Sequence, residues 1–124
     1  MIVDSSILLA ILFKEDNGPW ASNQLKQADN LQMSTVNLAE TLIVLQDRKS
    51  KTYEELKRTI YYMPIRFKVP TISQVEIVAQ ARLKFKVLNL GDCFAYALAK
   101  EENLPILTLN SDFKKCDFPI IIPS

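Results

Sequence analysis

The sequence predicts an α/β fold: a three-layer α/β/α sandwich around a short parallel sheet. Three observations predict it. Short apolar runs alternate with longer stretches of helical spacing along the whole chain. The short runs are apolar at successive positions rather than every second one, as in strands covered on both faces. Parallel strands need long crossovers, and the helical stretches between the runs supply them. At 124 residues and 48% apolar content, the chain is expected to form one domain, residues 1–124, with a core that needs no disulfides.

The elements follow in order. Met1–Asp4 reads as a strand ending in an acid. Ser5–Lys14 reads as a helix, with Ile7, Leu8, Ile11 and Leu12 at helical spacing. Asn17-Gly18-Pro19 breaks it, and Trp20–Ala28 starts another. Leu31–Ser34 is the second strand. A helix over Val36–Arg48 follows, with Val36, Ala39, Leu42 and Ile43 as its expected apolar face. Thr52-Tyr-Glu-Glu55 has the pattern of a capping box, opening a helix to about Met63. Ile65–Val69 is extended between two prolines. Ser73-Gln-Val-Glu76 has the same capping pattern, with a helix to about Phe85. Gly91 stands before a helix over Asp92–Glu102. Pro105–Leu109 is a strand, Ser111–Lys115 a turn or short helix, and Pro119–Ile122 the last strand.

Composition excludes several chemistries. The chain has no histidine, so Ser-His-Asp and Cys-His catalysis and His-ligated metals are out. Its two cysteines, Cys93 and Cys116, form no CxxC pair. Cys93 reads as core, with nothing nearby to activate a thiolate. The longest apolar run, Ile7–Phe13, is far short of the roughly 20 residues of a membrane span. No basic segment precedes it, so no signal peptide is expected. The expectation is a cytoplasmic protein with reduced thiols.

Charge is unevenly distributed. Residues 48–88 hold ten basic and three acidic side chains, while the segments on either side are net acidic. A basic surface beside an acidic pocket suits a polyanion; solvated helix faces are the plainer alternative. The basic candidates are Arg48, Lys49, Lys51, Arg66, Lys68, Arg82, Lys84 and Lys86. Trp20, Tyr61 and Tyr62 are candidates for base stacking, with core or interface packing as the alternative.

Four acids carry the functional argument: Asp4, Glu40, Asp92 and Asp112. Each has a structural alternative. Asp4 can cap a helix, Glu40 can reach water from a stripe edge, Asp92 can complement a helix dipole and Asp112 can close a turn. Their combination argues for more. Asp4 and Asp112 follow strands, Asp92 lies in the first turn of its helix and Glu40 only about one turn into its own. All four therefore fall at the carboxyl edge of the sheet, where such folds bind ligands. Carboxylates gathered there need counter-charge, and no basic residue is adjacent in sequence to three of them. Oxygen-only ligands select hard cations, Mg²⁺ or Mn²⁺. A carboxylate-held Mg²⁺ suits phosphate-ester chemistry, and the basic segment suits a polynucleotide backbone.

At these residues the chain resembles the PIN domain family, and more narrowly the VapC-type toxins of toxin–antitoxin pairs. The resemblance rests on Met1-Ile-Val-Asp4-Ser5-Ser6, Asn37-Leu38-Ala39-Glu40, the run from Leu88 to Ala99, and the run from Pro105 to Phe113. It implies a Mg²⁺- or Mn²⁺-dependent endoribonuclease acting on structured RNA, chiefly tRNA or ribosomal RNA. It implies Asp4, Glu40, Asp92 and Asp112 as metal ligands and catalytic acids, with Ser6 and Thr108 in support. It further implies a homodimer and a cognate antitoxin that occupies the acidic pocket. Asn110 is a departure, since many family members carry an acid there. Asp117 also resembles the family pattern, but reads better as a turn acid. The rival reading is a PIN-like binding module without turnover, for which Asn110 is the best support. A response-regulator-like domain needs a lysine after the last strand, where this chain has Pro123-Ser124.

Overall fold

The computed structural model describes all residues, 1–124. Five parallel strands form one sheet: β1 (Ile2–Val3), β2 (Leu31–Ser34), β3 (Ile65–Lys68), β4 (Ile106–Leu107) and β5 (Ile120–Ile121). The order is β3-β2-β1-β4-β5. Six helices connect them: α1 (Ser5–Leu12), α2 (Gly18–Gln27), α3 (Thr35–Arg48), α4 (Tyr53–Tyr62), α5 (Ile72–Lys84) and α6 (Leu90–Glu102). Ser111–Lys115 is a 3-10 helix.

The three layers follow from strand alternation. Ile2 and Ile106 enter one core with Val78, Ala81 and Phe85 of the α5 side, Tyr96 and Leu98 of α6, and Phe113. Their neighbours Val3 and Leu107 enter the other core, with Ile7, Leu25, Leu45 and Ile60 of α1 to α4. β1 and β4 are thus covered on both faces, as their unbroken apolar sequence requires; β2 also buries Gln32 and Ser34, and the edge strand β3, Ile-Arg-Phe-Lys, departs from the expected apolar run and exposes Arg66. Strand order reverses at β1: the chain leaves toward β2 and β3, then returns to lay β4 on the other side. The carboxyl ends of β1 and β4 therefore flank a topological switch point, where the diverging connections leave a crevice.

Several local expectations are corrected. The buried line of α3 is Asn37, Thr41 and Leu45, while Ala39 is exposed and Ile43 is 64% exposed. Two of those buried residues are polar, and hydrogen bonds make that tolerable. Thr41 Oγ1 donates to the Asn37 carbonyl (2.9 Å), and the Asn37 amide has partners described below. Thr52 caps nothing; its hydroxyl turns back to the Lys49 carbonyl. The cap of α5 is Thr71 rather than Ser73, its Oγ1 accepting the Gln74 N–H at 3.1 Å. Thr71 wins because it sits in extended backbone directly after Pro70, with Gln74 three residues on. α6 begins at Leu90, so Gly91 lies inside its first turn. Tyr62 is exposed on the surface, while Trp20 packs against the core.

Candidate functional site

Asp4 leaves β1 at the switch point and is almost wholly buried, at 3% exposure. It occupies the N-cap position of α1, yet its side chain makes no cap bond. Its Oδ2 instead accepts hydrogen bonds from Ser6 Oγ (2.7 Å) and Thr108 Oγ1 (2.8 Å). Thr108 is fully buried just past β4. Its hydroxyl also accepts the Asn110 N–H (2.9 Å), and Ser6 Oγ accepts the Leu109 N–H (3.0 Å). The two hydroxyls thus tie the loop after β4 to the acid after β1. Burial pushes the Asp4 pKa up, against the pull of these two bonds.

Glu40 lies in the second turn of α3, half-buried. Its Oε1 accepts a hydrogen bond from Asn37 Nδ2 at 2.9 Å. Burial raises its pKa; the Asn37 bond opposes this and the charge of Asp4 adds to it. Asp92 is the third residue of α6 and 7% exposed. It forms a reciprocal capping box with Asn89: Asp92 N–H donates to Asn89 Oδ1 (2.8 Å) and Asn89 N–H to Asp92 Oδ2 (3.1 Å). Its pKa is pushed up to about 6, first by burial. The charges of Asp4, Glu40 and Asp112 raise it further, against the Asn89 amide. Asp112 opens the 3-10 helix, and its N–H donates to Asn110 Oδ1 at 3.0 Å. That bond gives Asn110 a role in orienting the turn that holds Asp112.

The four acids therefore share the carboxyl edge of the sheet, and Asp92 senses the other three. They form no tight cage: no three His, Cys, Asp or Glu side chains converge at metal-binding range. Asp4, Glu40 and Asp92 are instead each held by their own hydrogen bonds, and Asp112 by the turn its backbone N–H makes with Asn110. No lysine or arginine pairs with any of them; the ion pairs of the chain are Lys57–Glu54, Lys68–Glu102 and Lys84–Asp117. A donor set of oxygens alone, self-repelling and without a cation, fits a hard divalent ion. The largest surface cleft, about 490 Å³, lies elsewhere, between α1 and α2 around Lys14, Asp16 and Pro19.

The basic candidates divide. Arg82 Nη1 donates to the Leu88 carbonyl (2.9 Å), Lys84 pairs with Asp117 and Lys68 with Glu102. These three are engaged with their own chain. Arg48, Lys49 and Lys51 line an open cleft of about 380 Å³ with Ser50 and Thr52 and make no ion pair. Asp117 is more than a turn acid: it also accepts the Tyr96 hydroxyl at 2.7 Å. Cys93 is buried in the core, and burial pushes its thiol up.

Sequence reasoning missed two contacts. Asn37 was invisible as a clamp because its partners, Glu40 and the Gly91 carbonyl, meet only after folding. Asn89 had a legible signal, the Asn-x-x-Asp capping pattern before an apolar run.

The model of the PIN domain family matches residues 1–119. Ribonuclease VapC42 of Mycobacterium tuberculosis is 30% identical over 125 residues, with 94% of this chain and 95% of that protein covered. Ribonuclease VapC28 of the same species is 31% identical over 126 residues, with 91% of each covered. Among solved structures, M. tuberculosis VapC20, a sarcin-ricin loop cleaving toxin, superposes with a TM-score of 0.82 at 16% identity, covering 98% of each chain. A toxin–antitoxin complex from Klebsiella pneumoniae contains a chain with a TM-score of 0.76 at 21% identity. The likeness thus extends over almost the entire fold and, in sequence, over almost the entire length: the chain belongs to the PIN domain family, and its relatives there are the VapC toxins.

Proposed function

We propose that this protein is a Mg²⁺- or Mn²⁺-dependent endoribonuclease toxin that hydrolyses RNA phosphodiester bonds. The observation that carries the reading is the gathering of Asp4, Glu40, Asp92 and Asp112 at one edge of the sheet, two of them buried, with no cationic partner. The VapC ribonucleases it resembles support the reaction class. Asp4, Glu40, Asp92 and Asp112 would hold the cation, which when bound polarises the phosphate and eases ionisation of water. Ser6 and Thr108 hold one oxygen of Asp4 and leave Oδ1 for this task. Asn37 and Asn89 do the same at Glu40 and Asp92, leaving Glu40 Oε2 and Asp92 Oδ1. Either of these oxygens is suited to accept a hydrogen bond from an attacking water. Asn110 sets the turn of Asp112. Lys49 and Lys51, and Arg48, whose guanidinium lies over the Phe13 ring, make no ion pair and are suited to bind RNA phosphates away from the acids.

The substrate class we propose is structured RNA, tRNA or ribosomal RNA, met in the cytoplasm. Residues 1–124 act as one nuclease unit. The antitoxin and a second copy of the chain are the expected protein partners. Apolar side chains such as Ile72, Leu83 and Leu90, each more than half exposed, suit such contacts. The Klebsiella pneumoniae and Rickettsia felis neighbours, both toxin–antitoxin assemblies, support the first partner.

A binding module without turnover is the second reading. It is favoured by the absence of a converged cage and by Asn110, whose oxygen is engaged by Asp112. Incubating total cellular RNA with the purified, antitoxin-free protein separates the two. Discrete fragments with Mg²⁺ or Mn²⁺, absent in EDTA and in Asp92→Ala, establish the nuclease. Intact RNA under every condition, from a folded protein, overturns the nuclease and leaves the binder as the reading.

A further inference from the structure

Glu40 reaches the site from a different helix than Asp92, and two residues outside the acid set decide where its carboxylate rests. Asn37, one turn earlier on α3, is fully buried. Both protons of its side-chain amide are used. One goes to Glu40 Oε1 (2.9 Å) and the other to the Gly91 carbonyl in the first turn of α6 (3.0 Å). A single amide therefore bridges the acid to the helix that carries Asp92.

Gly91 supplies the space. A Cβ built there would lie 2.0 Å from Glu40 Oε2 and 2.4 Å from Oε1. The three nearest atoms it would meet all belong to that carboxylate. Gly91 has ordinary negative φ and sits inside a helix, where glycine is a poor helix former. Backbone conformation therefore gives no reason for it, and the carboxylate does.

We propose that Asn37 and Gly91 are positioning residues that together lock the Glu40 carboxylate against the first turn of α6, beside Asp92. This rests on the reading of Glu40 as a ligand of the nuclease site. Asn37 hooks one oxygen, and Gly91 leaves the room in which the other lies. The carboxylate is at the end of a flexible side chain, so an added methyl displaces it rather than the backbone.

The test uses the full chain, with Mn²⁺ as the probe in isothermal titration and melting in EDTA as the control. Gly91→Ala is expected to melt no lower than the wild type, because alanine is the better helix former. Its Mn²⁺ affinity is expected to fall about 10- to 100-fold, the range for lost support of a metal ligand. Asn37→Ala is expected to lose affinity to a similar degree. Adding Gly91→Ala to Glu40→Gln is expected to weaken binding no further than Glu40→Gln alone. A purely structural glycine predicts the reverse, a lower melting point with unchanged affinity. If Gly91→Ala binds Mn²⁺ like the wild type while Glu40→Gln is weakened, the positioning role is refuted and the nuclease reading stands. If Glu40→Gln also binds like the wild type, or if the wild type binds no Mn²⁺, the nuclease reading fails and this inference with it. Should Asn37→Ala not fold, the Gly91→Ala comparison decides alone.

Discussion

Replacing Asp92 with asparagine removes one charge from the carboxyl edge of the sheet and little else. An asparagine keeps an oxygen to accept the Asn89 N–H, so the capping box at the head of α6 survives. In the metal-free protein the native acid is held in its charged form at a cost. Its pKa is pushed up to about 6 by burial and by the neighbouring acids. The fold thus favours the protonated form. The associated stability is fully present below the ordinary pKa of 3.8 and is lost as pH rises through about 6. At pH 7.5 the ionised form costs up to about 3 kcal/mol, and at pH 5 about half of that. Asp4 and Glu40, both raised as well, act in the same direction. With water reaching the edge of the site, Asp92→Asn is expected to stabilise the metal-free protein by about 1–2 kcal/mol at pH 7.5. For a chain of this size that is a rise of roughly 3–10 °C in Tm. The assay is a pair of thermal melts in EDTA, at pH 7.5 and pH 5. The gain should shrink at the lower pH. With saturating Mn²⁺ the order should narrow or invert, because the cation stabilises the protein that binds it better. A variant that melts at or below the wild type in EDTA at pH 7.5 would show that the four acids do not repel one another as described.

Three further outcomes are expected. Asp4→Ala should abolish metal-dependent cleavage of total RNA while the far-UV circular dichroism spectrum is kept; full activity would remove Asp4 from the mechanism. Thr108→Val takes the donor from Asp4 Oδ2 and the acceptor from the Asn110 N–H. It should cost about 1–3 kcal/mol in urea unfolding and lower activity, whereas an unchanged unfolding midpoint would make the hydroxyl idle. Ser34→Ala removes the oxygen that accepts the Val36 N–H at the head of α3. A loss of about 1 kcal/mol in the same assay is expected, with metal affinity retained if α3 keeps its place.

How much was legible in advance differs between elements for physical reasons. The second strand, Leu31–Ser34, was read to the residue because it lies between an Asp-Asn turn signal and a helix cap. The strands β1, β4 and β5 proved shorter than read. Their flanking residues still bond across the sheet, as Asp4 N–H does to the Leu107 carbonyl (3.0 Å) and Thr108 N–H to the Ile121 carbonyl (3.1 Å), but the regular ladder stops short of them. The face of α3 was misread because apolar spacing assumes that apolar residues are the buried ones. Here Asn37 and Thr41 take that place, and Ala39 and Ile43 are left outside. The capping boxes were decided by backbone conformation, which the residue pattern alone does not specify.

The sequence by itself determined the layer count, the parallel sheet and the edge at which the acids fall. Those follow from alternation and from chain direction, which are local properties. It also pointed to the four carboxylates, since all four fall at one edge of the sheet with no basic residue beside them. Only the tertiary structure decided what holds each of them. Asp4 is tied to Thr108 across 104 positions, and Asn37 reaches Gly91 across 54. Such bonds join elements whose proximity is set by strand order, and strand order is set by how two cores pack on one sheet. No local pattern in the chain encodes that distance.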